Sequence, residues 1–215
     1  MNKIINFTKF DKKRRCVRME FKKKEKKYVL EKNKMLLIEN TVEKIIKENC
    51  LTPSPSIDIV SLVNNNGFDV ETTKMDIETT GRLLVDDKEE NKQRIITVNT
   101  VFTNNDNDTD YILKKSRFIT AHEYGHFVLH YEQLGQPTYA HRDTHHRTEP
   151  IEQEADYFAR SILMPINQFK SIYMFIMTLN SNNKKNTIRF LSETFQVTKN
   201  KVNKRLEDLT TLGLI

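Results

Sequence analysis

Arg117-Phe118-Ile119-Thr120-Ala121-His122-Glu123-Tyr124-Gly125-His126-Phe127-Val128-Leu129-His130-Tyr131 is the stretch on which the reading of this chain turns. Apolar residues at 118, 119, 121, 127, 128 and 129 predict a mostly buried helix. Residues four apart project from one helical face, so His122 and His126 can close on one metal ion. Glu123, between them, is angled to reach a water at the same point. Burying ionisable groups is costly unless they are paired or bound to metal. A buried helix carrying His, Glu and His within two turns therefore calls for an ion.

A catalytic zinc site usually takes three protein ligands plus a water. His130 lies one turn beyond His126, but about 12 Å along the axis from His122, too far for one ion to bridge. It is expected to be a partly exposed side chain at the helix end. A third His six residues after the second is also absent, since position 132 is Glu. The better source is Thr148-Glu149-Pro150-Ile151-Glu152-Gln153-Glu154-Ala155-Asp156-Tyr157-Phe158-Ala159. Pro150 suits a first helical turn, and the acids around it complement the positive end of the dipole. Ile151, Ala155, Phe158, Ala159 and Ile162 form the apolar stripe, and Met164-Pro165 ends the helix. Glu152 and Asp156 share a face beside that stripe. Glu152 is assigned as the third ligand and Asp156 as the acceptor of a ligand imidazole's spare N–H. Glu154, about 200° away from Glu152, is the alternative ligand, and Glu149 reads as a solvated acid at the helix start.

These two segments together resemble the ImmA/IrrE family of metallopeptidases. The resemblance rests on HEYGH preceded by Arg117 to Ala121, and on Glu152-x-Glu154-Ala155-Asp156-x-Phe158-Ala159-Arg160-x-Ile162-Leu163-Met164-Pro165. Thr80-Gly81-Arg82-Leu83-Leu84 and Ile95-Ile96-Thr97-Val98-Asn99 are similar to that family's strands before the metal helix, so the likeness covers roughly residues 40 to 167. It implies a thermolysin-like core holding one Zn²⁺ per chain, and an endopeptidase that cleaves a helix-turn-helix transcriptional repressor. Such proteins belong to mobile elements, prophages or stress responses.

The chemistry expected of these residues is metal-assisted hydrolysis. His122, His126 and Glu152 hold the ion, and Glu123 is the general base that passes its proton to the leaving amine. Tyr139, His141, His145 and His146 fall between the two metal helices, where a substrate could pass. They are the candidates for oxyanion or substrate contacts, within what otherwise reads as a mobile polar loop.

Composition sets the frame. A hydrophobic share of 37% with 5 Gly and 5 Pro indicates a helix-rich globular chain. The 2 Cys, Cys16 and Cys50, suggest neither a disulfide framework nor a zinc knuckle and fit a reducing compartment. No apolar run reaches the length of a membrane span, and the N-terminal charges precede no apolar region, so a cytoplasmic protein without membrane association is expected. Residues 1–50 hold 16 Lys+Arg against 7 Asp+Glu, a net of +9, whereas the remaining 165 hold 19 against 22, a net of −3. Residues 1–34 accordingly read as a basic, flexible segment, 35–167 as the metallopeptidase domain and 168–215 as a helical C-terminal part.

Leu36 to Cys50 reads as a first helix. A second, capped by Ser56, carries Ile57 to Val63 and stops at Asn64-Asn65-Asn66-Gly67. Phe68–Thr72, Gly81–Val85 and Arg94–Thr100 read as strands, giving an α+β fold with a small sheet and a free strand edge for the substrate. Ile166–Leu179 is apolar enough for a buried helix. Ile188, Phe190, Leu191 and Phe195, a turn at 196–198, and Val202, Leu206 and Leu209 then resemble a helix-turn-helix. Its second helix begins with Lys199, Asn200, Lys201, Asn203 and Lys204, which suit contact with nucleic acid. Packing on the peptidase is the favoured role of this pair. The alternative function is a DNA-binding regulator whose metal site is structural or vestigial.

Overall fold

The computed structural model describes residues 29–51, 54–76, 78–87, 92–101, 108–134, 138–143, 149–179 and 183–215, with 138–143 described by their backbone. Of the basic segment expected over residues 1–34, residues 1–28 lie outside the described residues, whereas Lys32 to Lys34 already form the first turn of a helix rather than flexible chain. Helix α1, Lys32–Glu48, forms because Met35, Ile38, Val42 and Ile45 recur on one face and bury there. Helix α2, Ile59–Asn65, starts where the Asp58 carboxylate accepts the backbone N–H of Ser61 at 3.1 Å. The cap is therefore Asp58 rather than Ser56, because Ile57 still runs extended ahead of the first turn and is buried on its own account.

Four strands follow: β1 Asp69–Thr73, β2 Thr79–Asp86, β3 Gln93–Asn99 and β4 Thr138–Asp143. Their order is β1-β3-β2-β4, with β1 parallel to β3 and the other two pairings antiparallel. Gly81, Leu83 and Val85 of β2 and Ile96 and Val98 of β3 alternate inward, the period of a half-buried sheet. The stretch expected as a loop thus contributes a fourth strand. Thr-Tyr-Ala-His-Arg-Asp lacks strand-like alternation, and its pairing with β2 (Leu84 opposite Tyr139, Arg82 opposite His141) supplies what local propensity does not. Fully buried Asn99 holds the β1–β2 connection. It accepts from the N–H groups of Met75 (3.0 Å) and Val101 (2.9 Å) and donates to the carbonyls of Asp76 (2.9 Å) and Thr79 (2.6 Å).

Helix α3, Thr109–Leu134, lies across the inner face of the sheet, and α4, Pro150–Leu163, packs along its other side. Being covered on several sides, α3 buries Phe118 through His126 without interruption. Helix α5, Ile166–Leu179, differs from expectation. Only Phe169 and Ile176 are buried, whereas Met174, Phe175 and Leu179 are more than half exposed. Apolar composition drew the inference of burial, but the packing covers one side of the helix only.

Helices α6, Lys184–Phe195, and α7, Lys199–Leu212, join through a tight turn in which Gln196 adopts φ 52° and Val197 is buried. They share the hydrophobic core of the metal-site helices through Leu191, Phe195, Val202 and Leu209. Two charged residues of α7 also turn inward, whereas Lys199, Lys204 and Glu207 are exposed. Arg205 is fully buried and hydrogen-bonds the Glu39 carboxylate and the Met164 carbonyl, while Asp208 accepts from Arg160 at 2.6 Å. Tyr157 and Ser161 of α4 each donate to Glu39 at 2.7 Å. This network ties α1, α4 and α7 together. Among the described residues, no single helix is long and apolar enough to cross a membrane.

Candidate metal centre

On α3 the four-residue spacing places His122 and His126 side by side, with their Nε2 atoms 3.0 Å apart. Glu152, in the first turn of α4, approaches both. Its two oxygens lie 3.2 Å from His122 Nε2 and 3.0 Å from His126 Nε2. All three side chains are buried, and they form a group whose ligand atoms lie within 4.8 Å of one another. Two imidazole nitrogens and a carboxylate oxygen are the donor set of a catalytic zinc-type site. An ion bonded at about 2.0–2.1 Å in tetrahedral array sets its ligand atoms about 3.3 Å apart, close to the separations found here. Burial tends to raise the Glu152 carboxyl, but hydrogen bonds and charge from His122 and His126 outweigh it and leave the pKa lowered to about 2. The third ligand position is thus an anion, and the residues fit a divalent cation.

Two glycines make this approach possible. A Cβ on Gly125 would stand 2.8 Å from Phe158 Cδ1, so the bare backbone lets α4 come close enough for Glu152 to reach the imidazoles. A Cβ on Gly81 of β2 would stand 2.6 Å from Glu123 Oε1 and 2.5 Å from Ile119 Cγ2. The Glu123 carboxylate is therefore lodged against a strand that has no side chain there. Neither contact is visible in the HExxH spacing; a glycine inside a helix and another inside a strand are the signals that could have revealed them.

Each imidazole is held from behind. His122 Nδ1 lies 3.0 Å from Asp156 Oδ1, the geometry expected of an orienting carboxylate. The other Asp156 oxygen meets Lys201 of α7 at 3.5 Å, and the Lys201 ammonium sits 3.5 Å from the centroid of the Phe118 ring. His126 Nδ1 lies 3.3 Å from His130 Nδ1, and His130 Nε2 lies 3.1 Å from Glu154 Oε2, which in turn meets Lys34 of α1 at 2.8 Å. His130 is 1% exposed, which corrects the expectation of a partly exposed helix end. Helix spacing ruled it out as a ligand but could not show that α4 and α1 would close over it. Glu154 stands with His130 and Lys34, outside the three-residue group. Burial raises its carboxyl, yet Lys34 and His130 overcome that and keep it below the usual value. Glu149 is exposed ahead of α4.

The backbone at Tyr139 and His141 runs in β4 at the edge of the sheet, while His145 and His146 lie outside the described residues. Nothing in the sequence singles out Lys34, and His130 and Lys201, expected there as a helix end and a nucleic-acid contact, instead stand behind the metal group. Residues 66–207 match the family described as the IrrE N-terminal-like domain, an M78 peptidase family. No curated protein matches the chain. The match begins later than residue 40 and continues past 167, through β1–β4, α3–α6 and most of α7. With two thirds of its length in that match and a buried His122, His126, Glu152 group able to hold a metal ion, the chain belongs to the IrrE N-terminal-like family of peptidases.

Proposed function

We propose that the protein is a zinc-dependent endopeptidase of narrow specificity. It acts in the cytoplasm on a helix-turn-helix transcriptional repressor, relieving repression of a mobile element, prophage or stress regulon. The convergence of His122, His126 and Glu152 beside the buried Glu123 carries this reading. His122 and His126 would hold the ion through Nε2 and Glu152 through its carboxylate, leaving a fourth position for water. When bound, the ion supplies a Lewis acid at this point, lowering the pKa of water and polarising a carbonyl.

The protein's own groups do the rest. Glu123 accepts the proton of the attacking water as the new C–O bond forms, then delivers it to the amide nitrogen as the C–N bond breaks. Its position against Gly81 keeps the carboxylate from swinging away. Asp156 holds His122 in the tautomer that keeps Nε2 free to ligate. Strand β4, at the sheet edge, offers backbone groups to an extended substrate, and Tyr139, His141, His145 and His146 are the proposed oxyanion or substrate contacts. A cavity of about 560 Å³ lies between the first turns of α3 (Asp110, Tyr111, Lys114), Thr80 of β2 and the start of α7 (Lys199, Lys201). The inward-turned Lys201 and Arg205 leave the α6–α7 pair with less to offer to a DNA groove.

The test is the intact mass of the repressor encoded nearest this gene after co-expression with the protein or its Glu123→Gln form. Two fragments with the wild type and none with a metal-replete variant are expected. Cleavage by Glu123→Gln would overturn the assigned base, and a purified wild type that takes up no zinc would overturn the metal centre.

A further inference from the structure

His130 is the one histidine of α3 to which metal chemistry gives no task, yet it is buried as completely as the two beside it. A buried imidazole needs partners at both nitrogens. It has them: His126 Nδ1 at 3.3 Å on one side and Glu154 Oε2 at 3.1 Å on the other. Both nitrogens are thus engaged away from the convergence of His122, His126 and Glu152.

We propose that His130 and Glu154 are positioning residues for His126, His130 accepting the His126 Nδ1 proton and donating its own Nε2 proton to the Glu154 carboxylate. The inference rests on the ligand set proposed above. A neutral imidazole carries one donor and one acceptor. His126 turns its Nε2 lone pair toward His122 and Glu152, so its proton belongs on Nδ1. A nitrogen–nitrogen hydrogen bond needs one donor and one acceptor, which makes His130 Nδ1 the acceptor. The His130 proton then sits on Nε2, where the Glu154 carboxylate receives it, and the same carboxylate meets the Lys34 ammonium at 2.8 Å. Every link holds one donor and one acceptor, and no proton is left over.

The arrangement parallels the other ligand. His122 is backed by Asp156 and then by Lys201 of α7, and His126 by His130, Glu154 and then Lys34 of α1. Each imidazole is thereby anchored to a helix outside the α3–α4 pair. The extra imidazole spans the greater distance between α3 and the Glu154 carboxylate. Both chains fix ring orientation, on which ligand strength depends.

The experiment uses the purified full chain and Zn²⁺ alone, with affinity read by competition against a chromophoric chelator. His130→Leu fills the same space without an acceptor and is expected to weaken zinc binding about 10- to 100-fold. His130→Asn, whose side-chain oxygen can stand near the Nδ1 position, is expected to recover most of the loss. On the zinc-loaded wild type, ¹⁵N NMR of the histidine rings is expected to show His130 protonated at Nε2 and bare at Nδ1, a readout that needs no variant to fold. Unchanged zinc affinity in His130→Leu, or a His130 proton on Nδ1, overturns the inference while leaving the ligand set intact. A wild type that takes up no zinc is a different result: it removes the ligand set itself, and the role of His130 with it.

Discussion

Replacing Gly81 by alanine separates the general base from the metal. The added Cβ would come 2.5 Å from Ile119 Cγ2 and 2.6 Å from Glu123 Oε1, whereas ordinary contact begins near 3.4 Å, so both neighbours must give way by about 0.8–0.9 Å. Both side chains are buried, so the shift must be taken up by the packing around them. Overpacking of this kind costs about 1–3 kcal/mol. For a chain of this size that corresponds to a fall in Tm of about 2–12 °C. The larger effect is on catalysis: a misplacement of about 1 Å can cost about 10²-fold in rate. Because the added Cβ would press first on Ile119 and Glu123, neither of them in the ligand group, zinc content should stay at the wild-type level. Thermal unfolding, metal analysis and the repressor-cleavage rate together check this. A Gly81→Ala protein that cleaves at the wild-type rate would refute the placement of Glu123 against β2. Gly125→Ala is the counterpart, since its Cβ presses on Phe158 at 2.8 Å and displaces α4, and it should lose zinc along with activity.

Asn99→Ala removes a side chain that serves two N–H groups and three carbonyls, and should destabilise by about 2–4 kcal/mol in denaturant unfolding; a loss under about half a kcal/mol would show that water replaces it freely. Arg205→Met strands Glu39 in the core and should cost about 3–5 kcal/mol, with the Glu39→Leu, Arg205→Met double variant less affected than the single one. Burial raises the Glu39 carboxyl, but the Arg205 guanidinium and its hydrogen bonds prevail and hold it below 4.5. The folded state therefore binds fewer protons, and this contribution is present above the unfolded pKa and lost as pH falls through the folded one. Urea midpoints across pH 3 to 6 should slope less for Glu39→Gln, and equal slopes would contradict it. Chelation should lower the Tm of zinc-loaded protein by removing a bridge between α3 and α4, by about 4 kcal/mol of stability at a thousandfold excess over Kd; a Tm indifferent to chelator would mean no such bridge.

The buried Glu39–Arg205 pair and the Lys201–Asp156 contact give the C-terminal helices a place in the peptidase. The first runs from α7 to α1 and the second from α7 to α4, which carries Glu152, and the family match extends through α6 and most of α7. The residues that suggested a helix-turn-helix form two helices joined by a tight turn; Lys201 contacts Asp156 of α4, whereas Lys199, Asn200 and Lys204 are exposed.

What could be read from the sequence alone was whatever the helix period governs. Four-residue spacing is local geometry, so His122 and His126 had to face one point wherever α3 lay, and Glu152 and Asp156 had to share a side of α4. The strands β1 to β3 were legible from alternation, and α6–α7 from apolar spacing around a turn. The rest depended on which surfaces meet. β4 exists because β2 pairs with it, not because of its composition. The exposed face of α5 and the buried His130 were misjudged for one reason: hydropathy and position along a helix do not say how many neighbours close over it. The helical face shared with Asp156 favoured Glu152 over Glu154, but whether it would reach the histidines turns on how closely α4 approaches α3. That distance is set by the missing side chain of Gly125 against Phe158, a contact between residues 33 positions apart that only the tertiary structure brings together.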